Sequence, residues 1–143
     1  MMARGDKKTT VSFRFDAGTV ESLRQRSAEV GSGQGALAGR YIEEGMRMDG
    51  HAGIHFRDGG SGRRPALVGT RLDVAQVIET LRQNGSSVEE TADYLDLSPA
   101  QVETAVRYYA EYRGEVDAWI ARSRAIAERE RELWTKREAA LAG

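Results

Sequence analysis

Thr9-Thr10-Val11-Ser12-Phe13-Arg14-Phe15 alternates strictly between polar and apolar side chains. Thr10, Ser12 and Arg14 fall on one side, and Val11, Phe13 and Phe15 on the other. A period of two is the signature of a β-strand with one buried and one open face. The stretch lies near the N-terminus, and from Asp16 onward the pattern turns helical, so no hairpin partner follows. A lone strand leaves its backbone groups unpaired and needs a mate from elsewhere. The economical mate is the same strand of a second copy, antiparallel across a two-fold axis. Such a ribbon would present Thr10, Ser12 and Arg14 on its open face. Two strands fit the major groove of B-DNA, where short donors and an arginine suit base edges. The competing reading is an N-terminal edge strand of an ordinary domain.

Downstream, Asp16 can cap a helix carrying Val20, Leu23, Ser27 and Val30 on one face. A Gly31-Ser32-Gly33-Gln34-Gly35 turn leads to a second helix with Leu37, Ala38, Tyr41, Ile42 and Met46. Together, Lys8 to about Met48 resembles the ribbon–helix–helix family of dimeric DNA-binding repressors, over roughly a third of the chain. The resemblance implies base reading by Thr10, Ser12 and Arg14, and a phosphate held by the amides that open the second helix, at Ser32, Gly33 and Gln34. Helix N-termini attract anions on physical grounds as well. The sequence departs from the family at Gly33, where a serine or threonine is usual, and in its helical glycines 18, 35 and 39. Each of those costs about 1 kcal/mol against alanine.

The formal charge of −1 says little about partners, but its distribution says more. Residues 1–48 carry eight Lys/Arg against six Asp/Glu, with Arg4, Lys7, Lys8 and Arg14 gathered at the start. Residues 49–114 carry seven against ten, and 115–143 balance six against six. The basic end is therefore the nucleic-acid end, with Lys7 and Lys8 contacting phosphates from an arm that begins at Met1. There is no cysteine, hence no disulfide framework or thiol chemistry. No apolar run reaches membrane-spanning length and the N-terminus lacks a signal-peptide core, so a cytoplasmic protein with no membrane partner is expected.

Asp49 to Gly53 reads as a linker. Ile54-His55-Phe56-Arg57 and Arg63 to Val68 flank the glycine-rich Asp58–Gly62 and suggest a loose hairpin. Phosphate binding by that turn is disfavoured, because no helix with a nucleotide-loop lysine follows it. Asp73 can cap a helix with Val74, Val77, Ile78 and Leu81, which Asn84-Gly85 ends. Ser87 with Glu90, and Ser98 with Pro99 and Gln101, mark two further starts as capping boxes. The two helices flanking Asp96-Leu97-Ser98 make a helix-turn-helix. Between Arg64 and about Tyr112 the chain resembles a small helical family often found as bacterial antitoxins. The resemblance rests on Gly69-Thr70-Arg71-Leu72-Asp73-Val74, Gly85 to Glu90, and Leu97-Ser98-Pro99 to Tyr108. The last helix should expose Gln101, Thr104 and Arg107 to a possible DNA partner, but also Glu103 and Glu111. In an acidic unit that favours protein binding or dimer support over independent DNA binding.

From Glu115 to Gly143 good helix formers dominate, and apolar pairs recur every seven residues: Trp119/Ile120, Ile126/Ala127, Leu133/Trp134 and Ala140/Leu141. Seven residues span about 10.5 Å of helix, so the pairs line one narrow stripe. Ser123, Glu130 and Arg137 break the second apolar position that a coiled coil needs. The stripe thus suits the hydrophobic groove of a different protein, although a helix folded back on its own domain is the alternative for Trp119 and Ile120.

The expected fold is mainly α. It comprises a ribbon–helix–helix at 1–48, its short strand paired across a dimer, and a linker with the hairpin start at 49–63. A helix-turn-helix domain with a small β-hairpin covers 64–114, and a long amphipathic helix covers 115–143. That order resembles a VapB-type antitoxin of a type II toxin–antitoxin pair. The resemblance implies a homodimer that represses its own operator and inhibits a toxin, a PIN-domain ribonuclease. Arginines delivered on a helix can pair with the carboxylates of such an enzyme. The toxin-facing set would be Trp119, Ile120, Arg122, Arg124, Ile126, Arg129, Arg131, Leu133 and Trp134. A stand-alone dimeric repressor is the alternative. An enzyme is not expected: His51 and His55 flank a glycine in a loop, and no nucleophile has a base partner. Hence no catalytic residue, metal site or cofactor is assigned.

Overall fold

Asp16 sets the first helix in place. In a computed structural model, which describes residues 7–59 and 62–143, its carboxylate accepts a 2.7 Å bond from the Thr19 amide, opening α1 (Ala17–Val30). That bond holds the Asp16 carboxyl below its ordinary range. The helix ends at Gly31, whose φ of 67° lies in the left-handed region that glycine adopts without strain. The Ser27 hydroxyl then donates to the Ser32 carbonyl, closing the turn into α2 (Gln34–Gly50). Residues 1–6, with Arg4, and residues Gly60 and Ser61 lie outside the described residues.

The chain divides into two units, Met1–Glu43 and Glu44–Gly143. Helix α2 begins in the first, and its last two turns belong to the second. It runs to Gly50, so the expected linker shrinks to a turn at 51–53.

In the second unit, β1 (Ile54–Gly59) pairs antiparallel with β2 (Gly62–Leu67), in register from Ile54 opposite Leu67 to Gly59 opposite Gly62. A Cβ on Gly59 would stand 2.4 Å from the Arg64 guanidinium carbon, so a larger residue there would displace the end of the Arg64 side chain. The Gly69–Val74 block joins this hairpin to α3 (Val74–Gln83). Thr70 Oγ1 donates to the Leu67 carbonyl and accepts from the Leu72 amide, and Arg57 donates to the Arg71 carbonyl. Asp73 and Gln76 form a complete capping box. Arg64 Nε stands 3.2 Å from the buried Asp73 carboxylate. One short polar block thereby caps a helix and seats a sheet.

Helix α4 (Val88–Leu95) has Ser87 accepting from the Glu90 amide, but the Glu90 side chain does not return the bond. The expected box is therefore half made. Helix α5 (Pro99–Glu111) has both halves of its box, Ser98 with Gln101. At Tyr112 the backbone (φ −117°, ψ 41°) departs from helical geometry, and α6 (Arg113–Ala142) begins. Ile54, Leu67, Val74, Val77, Ile78, Val102, Ala105, Tyr108, Val116 and Ile120 form one buried cluster. The hairpin, all of α3 to α5 and the first turns of α6 thus share a core. Among the described residues, no helix is long and apolar enough to cross a membrane.

Asp73→Ala should lower the stability of this unit by about 3 kcal/mol, because it removes a cap and strands the half-buried Arg64. Urea unfolding followed by circular dichroism measures the loss, and a shift under about 0.5 kcal/mol would show the block to be dispensable.

Candidate nucleic-acid and partner surfaces

Residues 9–15 form no strand within the chain: the only ladder among the described residues is β1 with β2. Val11, Phe13 and Phe15 are 63%, 64% and 61% exposed. The Phe13 and Phe15 rings lie 6.3 Å apart on one side of the segment. Lys7, Lys8, Thr10, Ser12 and Arg14 are all exposed as well. Within the first unit, Val20, Val30, Tyr41 and Ile42 are open too, and Leu37 is its single buried hydrophobic residue among those described. A piece of about 40 residues with so small a core ordinarily needs a second chain, a metal or disulfides.

At the α2 N-terminus, a Cβ on Gly33 or Gly35 would meet nothing within 4 Å, so Gln34 and its neighbours open onto free space. Ser32 is half-buried, its carbonyl taken by Ser27.

Helix α5 differs from expectation. Gln101 spends its side chain on the Ser98 amide, and Thr104 bonds back to the Ala100 carbonyl beside Gly53. Both are half-buried. Of the three residues expected to face DNA, only Arg107 is exposed. Capping and hairpin packing take the other two.

Helix α6 also divides. Ile120 is 3% exposed and belongs to the core, so it drops out of the toxin-facing set, and Trp119 is half-buried against the same cluster. Here the helix packs on its own domain. Past Ile120, every residue except the half-buried Ser123 is exposed. Ile126, Leu133, Trp134 and Leu141 stand open along this arm, with Trp134 60% exposed. Arg124 pairs with Glu79 on α3 at 2.8 Å, whereas Arg122 stacks over Trp119 at 5.2 Å. Arg129 and Arg131 make no ion pair among the described residues.

Long-range polar links fasten the second unit together. Arg63 grips Glu44 through Nε and Nη2, both at 2.8 Å, and this bonding raises the Arg63 pKa. Burial opposes the Arg47 charge, but bonds to Glu115 (2.6 Å) and Tyr108 (2.9 Å) more than offset it. Burial, followed by the Glu115 charge, pushes the Tyr108 phenol up to about 12. His51 Nε2 lies 2.6 Å from Glu111, its ring edge-on to Tyr108 and Tyr112. His51 is thus a packed joint between α2 and α5. Arg82 bonds Asp117 at 2.5 Å, and this bond, followed by one from Tyr109, lowers the Asp117 pKa. Partners 19 to 68 residues apart leave no local sequence signal. Among the described residues, no three His, Cys, Asp or Glu side chains gather as a metal would require.

No curated protein and no solved structure matches the chain. Residues 54–109, from β1 through nearly all of α5, match the family model described as "Protein of unknown function (DUF433)".

Proposed function

We propose that this chain is the antitoxin of a type II toxin–antitoxin pair, a cytoplasmic homodimer that binds operator DNA through its first unit and a ribonuclease toxin through the α6 arm. One observation carries the reading: a segment with three large apolar side chains more than three-fifths exposed, unpaired among the described residues, preceding two helices that bury one large hydrophobic residue. Pairing with a twin would bury Val11, Phe13 and Phe15 and turn Thr10, Ser12 and Arg14 outward for base contact. The start of α2 at Gln34 suits a phosphate, as helix N-termini attract anions. The acidic DUF433-like unit acts as the rigid base of the toxin-binding arm. Ile126, Leu133 and Trp134 enter a groove of the toxin, while Arg129 and Arg131 approach its acidic residues.

Two arms test the proposal. Co-purification with the product of the adjacent reading frame, followed by mass measurement, should return a complex containing at least two copies of this chain. A chain that purifies alone would favour the stand-alone repressor. In footprinting, Arg14→Ala should weaken operator binding about tenfold or more and relax the base preference at one position. Removing Lys7 and Lys8 should instead weaken all sequences alike and reduce the salt slope by about two. An unchanged footprint for Arg14→Ala would remove the ribbon from the DNA interface.

A further inference from the structure

A cavity of about 280 Å³ lies in the second unit between β2 and the base of α6, with walls that include Arg63, Arg64, Asp73, Glu115, Trp119 and Arg122. Every charged side chain of its wall but one has an opposite charge beside it. Arg63 is held by Glu44 and lies 3.5 Å from the exposed Asp58, Arg64 stands against Asp73, and Glu115 is bonded by Arg47. Arg122 is left with the Trp119 ring and no carboxylate among the described residues. The remaining wall is apolar: Pro65, Ala75, Val116 and Ala118 beside the indole. A small concave site with apolar sides and one exposed arginine in its lining suits a ligand of matching polarity. Its single uncompensated charge matches one negative charge, and Arg122 can take a carboxylate through two parallel donors.

We infer that this cavity is a binding site for a small organic monocarboxylate with an apolar body, its carboxylate on Arg122 and its body against Trp119, Pro65 and Ala118. A volume of about 280 Å³ accommodates a single ring or a branched chain. Phosphate esters fit less well, because a second negative charge would face Asp73 and Glu115 with no cation to spare. The site lies wholly within the second unit and stands whether or not α6 binds a protein.

Phenylacetate is the probe, titrated into the full-length Trp134→Phe protein so that Trp119 alone reports by fluorescence. Saturable quenching is expected. Arg122→Gln should weaken binding by about tenfold or more, and uncharged phenylacetamide should bind the parent protein as weakly. Ala118→Leu, which fills the apolar side, should also weaken it, while Lys136→Gln on the distal arm should leave it unchanged. No saturable quenching, equal binding of phenylacetamide, or unchanged binding by Arg122→Gln overturns the assignment. Inorganic phosphate competing as well as phenylacetate would do the same.

Discussion

Phe13→Ser combined with Phe15→Ser should convert the protein into a monomer that no longer retards operator DNA, with the second unit as stable as before. Both rings are more than 60% exposed, so in the isolated chain they contribute little to folding. If the segment pairs with its twin, burial of each ring contributes roughly 2 kcal/mol. Four rings per dimer then supply on the order of 8 kcal/mol, or about five to six orders of magnitude in the dissociation constant. Loss of the dimer removes the ribbon, and with it the base contacts of Thr10, Ser12 and Arg14. Sedimentation equilibrium reads the association and thermal unfolding reads the second unit. A double variant that stays dimeric would place the interface elsewhere and leave the N-terminal segment without its proposed role.

Helix starts are what local sequence conveys well. The Asp16 and Asp73 caps and the Ser98–Pro99–Gln101 start are written within four or five residues, and the structure places α1, α3 and α5 at those marks, whereas the alternation at 9–15 forms no strand within the described residues. The hairpin at 54–67 was legible for the same reason, as two β-prone runs about a glycine turn. Side-chain exposure was less legible, because it depends on distant neighbours. Gln101 and Thr104 look solvent-facing by helical spacing, yet one closes a cap and the other meets the hairpin turn at Gly53. The reciprocal half of the Ser87–Glu90 box is missing although its motif is present. His51 on Glu111 and Arg47 on Glu115 join residues 60 and 68 positions apart, a pairing no window can contain. The stripe on α6 was legible as a period, but its point of departure from the core was not.

That point of departure separates two substitutions on one helix face. Ile120→Ala should lower the unfolding free energy of the second unit by about 2–5 kcal/mol, since it empties a site among Val74, Val77, Val116 and their neighbours. Leu133→Ala with Trp134→Ala should leave that stability within about 0.5 kcal/mol, because neither side chain is buried. For the partner the ranking reverses. Two large apolar anchors at the centre of a groove contact are worth about 5 kcal/mol together, so toxin binding should weaken by three to four orders of magnitude. Ile120→Ala should change toxin binding little at temperatures where the domain remains folded. Every residue of the arm from Arg129 onward is exposed, and a solvated helix of that length is marginal on its own. Partner binding should therefore raise helicity at 222 nm in the parent protein and not in the double variant. Calorimetry of the isolated variants, followed by titration with the co-expressed partner, measures both quantities. Tight binding by the Leu133/Trp134 double variant would show that the stripe is a solvated face and that the partner grips another surface.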